Sequence, residues 1–180
     1  TVLLIILLNM ISCVSLSSKE ISESDTKKHH LPDGTFKNRF DSSIDKSFSD
    51  LIKWWWNGVT PIAVDFELSD NDTQFFKKNK DRDTITWIGH STLLIQYGGI
   101  TILTDPHLTQ RASPVSFAGP KRYTTPGLSI EDLPEIDLII ISHNHYDHLD
   151  KLTIEELFEK QPNSPPRIFV PLKLKEWFIN

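Results

Sequence analysis

The feature that most constrains the fold is an apolar run followed at once by a cluster of histidines. Residues 138–141 are four consecutive large apolar residues (LIII), a pattern that predicts a strand buried on both faces of a helix-covered sheet. Residues 142–150 then read SHNHYDHLD. Because sites in open α/β proteins lie at the carboxyl ends of strands, the sequence predicts an α/β fold with a site at this edge.

The residue types in the cluster indicate metal binding. His143 and His145 are two residues apart, which puts both imidazoles on one side of an extended backbone. After a turn, Asp147 and His148 can face a second position. Zinc favours imidazole nitrogen and carboxylate oxygen, so one loop can supply two ligands to each of two ions. Burying three histidines and an aspartate as packing is costly without a metal or charged partners, and we therefore predict a two-zinc site.

Length and composition limit the classes of protein to which this chain can belong. A chain of 180 residues is enough for one domain of ordinary size. The formal net charge of −5 argues against a nucleic-acid partner, because such proteins usually carry a basic excess. The single cysteine, Cys13, excludes an internal disulfide and a cysteine-based zinc cluster.

The chain is predicted to have three parts. Residues 1–16 are apolar but shorter than the roughly 20 residues that span a membrane, and they fit the core of a secretory signal. Residues 10–13 (MISC) also resemble a lipoprotein cleavage box, so we expect an exported protein or one attached to a membrane through Cys13. A buried N-terminal strand or helix is the alternative. Residues 17–83 are predicted as a polar linker and extended arm, and residues 84–180 as the compact domain.

The compact domain is predicted to be built around a sheet. Four further β-rich runs predict strands at residues 84–88, 93–97, 100–104 and 167–171. Gly98-Gly99 predicts a two-residue hairpin turn, and five prolines predict a long ordered loop over residues 106–135. Thr153 and Glu156 form a capping-box pattern ahead of a helix, which predicts a strand–helix–strand parallel crossover.

The residues of the cluster and several other segments resemble one known family. HNHYDH is the His-x-His-x-Asp-His signature of the metallo-β-lactamase superfamily. Within it, the chain is similar to the N-acyl-phosphatidylethanolamine-hydrolysing phospholipase D group and its bacterial relatives. The similar segments are residues 86–92 (TWIGHST), 103–106 (LTDP), 111–114 (RASP), 119–122 (GPKR) and the arm at 30–38.

The resemblance implies an αββα sandwich made of two similar halves, of which this chain holds the first. It also implies that His143 and His145 bind a first zinc ion and that Asp147 and His148 bind a second. In that family a further histidine, a bridging aspartate and a last histidine complete the sites, and we expect them beyond Asn180. Two zinc ions are therefore expected in the full-length protein, and the fragment alone should be inactive.

Roles for other polar residues follow from the same resemblance. Asp147 is assigned as the catalytic carboxylate as well as a ligand. Asp105 is expected to accept a hydrogen bond from a ligating imidazole and so orient it. His90 is expected to contact substrate, with a core histidine bonded to backbone as the alternative. Lys121 and Arg122 are expected to meet a phosphate, with plain surface charge as the alternative.

The expected activity is hydrolysis of a phosphodiester, in phospholipids of the N-acyl-phosphatidylethanolamine type. The expected partners are therefore a phospholipid or other phosphodiester substrate and a membrane surface. A lactonase or a phosphodiesterase acting on a soluble substrate is an alternative with the same fold. A non-catalytic, membrane-attached binding protein is an alternative of another class.

Overall fold

A computed structural model of the chain describes residues 30–37, 47–58, 69 and 71–179. The chain divides into two compact units, residues 1–60 and residues 61–180. The apolar segment at residues 1–16, with Cys13, lies outside the described residues, so export or attachment through it stays a prediction. In the described part of the chain, no helix has the length and apolar character needed to cross a bilayer.

The first unit contains a helix that was not predicted from the sequence. Helix α1 spans Phe48–Asn57, inside the segment predicted as linker and extended arm. Its start is a reciprocal capping box: the Asp50 amide donates to Ser47 Oγ at 3.3 Å, and the Ser47 amide donates to the Asp50 carboxylate at 3.0 Å. This pairing satisfies donors that a helix start leaves open, and it therefore stabilises the first turn of α1.

The second unit is built on one five-stranded mixed sheet, in the order β1-β2-β3-β4-β5. The strands are β1 Thr84–Gly89, β2 Thr92–Tyr97, β3 Ile100–Thr104, β4 Leu138–Ile140 and β5 Arg167–Phe169. The first three strands pair antiparallel, and β3–β4 and β4–β5 pair parallel. Gly98 and Gly99 both have positive φ at the β2–β3 turn, as the hairpin prediction requires.

Among the described residues of this unit, three helices accompany the sheet: α2 Thr73–Lys78, α3 Lys151–Lys160 and α4 Lys175–Ile179. Helix α3 joins β4 to β5, which confirms the predicted parallel crossover. The predicted capping box at Thr153 and Glu156 is wrong, because α3 begins at Lys151 and its N-cap position is Asp150, three residues before Thr153. The Thr153 hydroxyl is buried and donates to the Asp150 carboxylate at 2.7 Å, so it does not cap the helix.

One face of the sheet packs into the hydrophobic core. The buried side chains on it include Ile88, Leu94, Leu103 and Ile139, which meet Leu157 of α3 in one cluster. Alternation along each strand puts these residues on the same side. Phe76 of α2 belongs to the same cluster, so the core includes a residue that precedes position 84.

The opposite face of the sheet is apolar but exposed in this chain. Trp87, Tyr97 and Phe169 are exposed by 68%, 66% and 61%, and the strand register puts them on one surface with Ile85, Ile100 and Ile140. The prediction that β4 is buried on both faces is wrong for the described residues, since Ile139 is 0% exposed but Ile140 39%. The apolar run predicted burial correctly only for the face that meets α3.

The long connection between β3 and β4 is an ordered loop without a helix or strand of its own, as predicted. Residues 111–114 and 119–122, the two segments of this loop that resemble the family, lie against each other. The Ala112 amide donates to the Pro120 carbonyl at 3.1 Å, and Arg111 Nη1 donates to the Gly119 carbonyl at 2.7 Å. A Cβ at Gly119 would lie 2.6 Å from Ser113 Cβ, and φ there is 95°. Only glycine fits this close approach.

Candidate metal centre

The predicted ligands lie in the loop that follows β4. The loop makes one turn, in which the amides of His148 and Leu149 donate to the His145 carbonyl at 3.0 and 2.8 Å. This turn folds the histidines back on one another, so that the ring centres of His143 and His145 are 4.6 Å apart and those of His143 and His148 are 4.0 Å apart. A segment of six residues therefore gathers three imidazoles at one edge of the sheet.

His143 and His145 point ring nitrogens at a common position. His143 Nε2 lies 3.0 Å from His145 Nδ1. Two ligands of a tetrahedral zinc ion, each bonded at about 2.0–2.1 Å, are about 3.3 Å apart, so this pair suits one ion. Burial and the neighbouring imidazoles of His148 and His145 lower the pKa of His143, which favours the neutral ring that binds metals.

Asp147 and His148 form a second pair. Asp147 Oδ2 lies 3.6 Å from His148 Nε2, again close to the separation of two zinc ligands. Burial raises the pKa of the Asp147 carboxyl, but its own backbone amide, His148 and His90 lower it, and the net pKa lies below the ordinary value. The carboxylate is therefore held in the ionised form that a cation requires.

Asp105 anchors the loop from the end of β3. Because β3 and β4 are parallel, both end at the same edge, and the Asp105 amide donates to the Ile140 carbonyl at 2.8 Å. The Ser142 amide donates to Asp105 Oδ1 at 2.7 Å, and His148 Nδ1 lies 2.9 Å from Asp105 Oδ2. Burial raises the pKa of Asp105, but the hydrogen bonds from His148 and Ser142 outweigh it and lower the net value. This is the contact expected of an acceptor that orients a ligating imidazole.

Ser142 extends this anchor to His143 and was not singled out from the sequence. Its hydroxyl donates to Asp105 Oδ2 at 2.7 Å and lies 2.9 Å from His143 Nδ1. A hydroxyl has one hydrogen, so Ser142 Oγ must accept from His143 Nδ1–H. That tautomer leaves Nε2 of His143 without a hydrogen, and Asp105 fixes the same tautomer of His148 directly. One carboxylate thus orients a ring in each pair.

His90 reaches the same edge from the β1–β2 turn. Antiparallel pairing brings the start of β2 beside the end of β3, where Asp105 lies. His90 Nε2 lies 2.9 Å from Asp147 Oδ2, and its ring meets that of His148 edge-on at 5.3 Å. Ligand atoms of His90, Asp147 and His148 all lie within 4.8 Å of one another, a spacing that can hold a metal ion. The ring is exposed rather than part of the core, and contact with substrate stays a prediction.

Arg122, one of the two basic residues Lys121 and Arg122 in the long loop, forms hydrogen bonds with the backbone of that loop. Its Nε donates to the Thr109 carbonyl at 3.2 Å, and its Nη2 donates to the His107 carbonyl. These contacts hold the middle of the loop against its first residues, and a phosphate contact of Arg122 stays a prediction. Lys121 is exposed, and a role for it at a phosphate stays a prediction.

Asp150, like Ser142, is a polar residue for which no role was predicted from the sequence. The side chain is buried, and its Oδ2 accepts from the Thr109 amide at 3.1 Å and from the Thr153 hydroxyl at 2.7 Å. These bonds join the long loop to the start of α3, immediately after the metal-binding loop. An aspartate directly before a helix is the signal that could have marked it.

The donor set fits zinc. Three imidazoles and a carboxylate are ligands that zinc accepts in catalytic sites, and two of the rings, those of His143 and His148, are held in tautomers whose Nε2 carries no hydrogen. The pairs His143–His145 and Asp147–His148 could each supply two ligands to one ion. These four side chains alone do not complete two four-coordinate sites.

Comparisons with known proteins agree with this arrangement. A family profile described as "Beta-lactamase superfamily domain" matches residues 84–173. N-acyl-phosphatidylethanolamine-hydrolyzing phospholipase D 1 of Caenorhabditis elegans is 46% identical over 95 residues, which are 53% of this chain and 26% of that protein. The mitochondrial N-acyl-phosphatidylethanolamine-hydrolyzing phospholipase D of Saccharomyces cerevisiae is 37% identical over 95 residues, 53% of this chain and 19% of that protein.

A third relative is a UPF0173 metal-dependent hydrolase of Anaeromyxobacter sp. (strain K). It is 35% identical over 74 residues, which are 41% of this chain and 23% of that protein. The matched part of the chain thus spans only 26%, 19% and 23% of the lengths of the C. elegans, S. cerevisiae and Anaeromyxobacter relatives. The family profile covers half of the chain and includes the whole loop of histidines. The chain belongs to the metallo-β-lactamase superfamily.

Proposed function

We propose that this chain carries part of the active site of a metal-dependent hydrolase. The observation that carries the proposal is the convergence of His143, His145, Asp147 and His148, with Asp105 orienting the rings of two of them. An anchored set of this kind is costly to maintain for packing alone, because its polar groups need partners. The name of the Anaeromyxobacter relative, a metal-dependent hydrolase, supports the same conclusion.

In this proposal His143 and His145 hold one zinc ion, and Asp147 and His148 hold a second. Bound divalent metal supplies a nucleophile at neutral pH and stabilises negative charge that develops on oxygen. The chain's own residues keep the site ready for it: Asp105 and Ser142 fix two tautomers, and the β4–α3 turn sets the spacing of the ligands. The remaining ligands would come from other parts of the protein, since the matched segment is 26% of the C. elegans relative.

The proposed substrate class is a phospholipid of the N-acyl-phosphatidylethanolamine type, cleaved at a phosphodiester bond. Support comes from two relatives whose names state that activity, at 46% and 37% identity over about half of this chain. Asp147, as a metal ligand beside the reacting phosphate, is the residue proposed as catalytic. A membrane surface is the proposed place of action because the substrate is a lipid.

The proposed complete fold is an αββα sandwich, of which this chain supplies the first sheet and its helices. Support comes from the exposed apolar face that includes Trp87, Tyr97 and Phe169, opposite the helix-covered core. A continuous apolar face of a sheet is stable in water only when another layer covers it. A structure of the complete protein in which these side chains stay in solvent would contradict the proposal.

A lipid assay tests the proposed function. The complete protein, incubated with vesicles that contain N-acyl-phosphatidylethanolamine, is expected to release phosphatidic acid and N-acylethanolamine, both measured by mass spectrometry. Lactones and simple soluble phosphodiesters are run in parallel. Turnover of the soluble substrates with none of the lipid would reject the phospholipase proposal and retain the hydrolase. No turnover of any substrate by metal-loaded protein would favour a non-catalytic binding protein.

A further inference from the structure

We propose that His90 is a positioning residue for the second metal pair, which it serves by fixing the Asp147 carboxylate. The inference rests on the proposed function and deepens it, because it assigns to the β1–β2 turn a defined task in metal binding. Its basis is a side-chain contact between residues 57 positions apart, with His90 Nε2 at 2.9 Å from Asp147 Oδ2.

The direction of this hydrogen bond follows from the chemistry of the two groups. An ionised carboxylate only accepts hydrogen bonds, so His90 Nε2 must carry the hydrogen. A carboxylate oxygen has two lone-pair sites. Asp147 Oδ2 can therefore accept from His90 on one side and face the position next to His148 Nε2, 3.6 Å away, on the other. The contact with His90 removes rotational freedom from a ligand that is otherwise partly exposed.

The backbone of the turn is held in the conformation that makes this contact possible. His90 has φ 50°, a left-handed conformation that is sterically unfavourable for a residue other than glycine. The indole Nε1 of Trp87 donates to the His90 carbonyl at 2.9 Å, and the Thr104 hydroxyl donates to the Ser91 carbonyl at 2.9 Å. Strain maintained in this way is typical of functional positions.

The edge-on contact of His90 with His148 adds a second restraint. The ring centres are 5.3 Å apart at an interplanar angle of 68°. Since His148 is fixed on its other side by Asp105, the second pair is restrained from the ends of two different strands. His90 therefore acts on both members of the pair, through a hydrogen bond to Asp147 and through ring contact with His148.

The test compares variants of the complete protein that separate ring, donor and charge. His90→Gln keeps an N–H donor at a similar reach, His90→Phe keeps a ring without a donor, and His90→Glu puts an acceptor against Asp147. We expect His90→Phe and His90→Glu to bind the second zinc ion about 10–100-fold more weakly than wild type, and His90→Gln to stay within a few-fold. Chelator-competition titrations measure the affinities. His30→Phe, the same substitution in the first compact unit, is the control and should leave the affinity for both zinc ions unchanged.

Absorption spectra of the cobalt-substituted protein separate positioning from direct ligation. A positioning role predicts that each variant keeps the wild-type coordination number, with rescue of affinity by His90→Gln. Unchanged affinity in His90→Phe and His90→Glu would overturn the proposal. So would loss of one ion together with a reduced coordination number, because His90 would then be a ligand. Wild-type protein that binds no metal would instead reject the proposed function itself. If His90→Phe fails to fold, the Gln and Glu pair decides alone.

Discussion

Replacing His145 with alanine in the complete protein is expected to lower the rate of hydrolysis by at least about a thousandfold. The substitution removes Nδ1, which lies 3.0 Å from His143 Nε2, and with it one of the two ligands of the first pair. Metal ions contribute several kcal/mol of transition-state stabilisation, and each 1.36 kcal/mol corresponds to tenfold in rate. A loss of about 4 kcal/mol therefore gives about a thousandfold. The measurement is kcat with a saturating lipid substrate and zinc in excess.

The fold should survive this substitution, because His145 is exposed and belongs to no core cluster. Circular dichroism and the thermal midpoint of the metal-free protein are expected to match wild type. Asn144→Ala, an exposed neighbour in the same loop, is the control and should retain most of the activity. Undiminished turnover by folded His145→Ala protein would remove His145 from the site.

Asp105→Asn is expected to weaken binding of both metal ions about 10–100-fold, the usual effect of losing a group that orients ligands. The carboxylate accepts from His148 Nδ1 at 2.9 Å and from the Ser142 hydroxyl at 2.7 Å. An asparagine keeps one acceptor and gains two donors. If its amide donates to His148 Nδ1, the ring hydrogen moves to Nε2 and blocks the nitrogen proposed to bind metal. The effect on His143 passes through Ser142 and should be smaller.

Chelator competition and metal-dependent shifts in thermal midpoint measure the effect of Asp105→Asn. Asp81→Asn, the same substitution at an exposed position, is the control and should leave affinity unchanged. Ser142→Ala should weaken the first pair more than the second, since it removes the hydroxyl that accepts from His143 Nδ1 but leaves the direct hydrogen bond between Asp105 and His148. Equal affinity of Asp105→Asn and wild type would mean that the hydrogen bonds of Asp105 serve the fold alone.

The sequence predicted the parts of the structure that depend on local pattern. Runs rich in β-forming residues predicted β1, β2 and β3, and Gly98-Gly99 predicted the turn between β2 and β3. The clustering of His143, His145, Asp147 and His148 within one loop made the site visible, because all four side chains are close in the chain. The family resemblance predicted that Asp105 accepts a hydrogen bond from a ligating imidazole, and Asp105 Oδ2 lies 2.9 Å from His148 Nδ1.

The features that the sequence did not predict depend on contacts between segments that are distant in the chain or on side-chain hydrogen bonds that replace a helix cap. No local sequence pattern indicates that His90 contacts Asp147. The two residues are distant in the chain, and only the pairing of β2, β3 and β4 in one sheet brings them together. Ser142 has its role only because Asp105 lies beside it. The start of α3 was misplaced because Thr153 bonds to Asp150 instead of capping, and the exposure of Ile140 depends on what covers the sheet.

Counting the metal ions in the complete protein and locating them tests the central claim most directly. Elemental analysis by mass spectrometry, combined with anomalous X-ray scattering at the zinc edge, is expected to give close to two zinc ions per chain. One ion should lie against His143 and His145 and the other against Asp147 and His148, while residues 1–180 alone should retain little metal. Protein that carries no metal after purification and reconstitution, or metal bound away from these four side chains, would contradict the account.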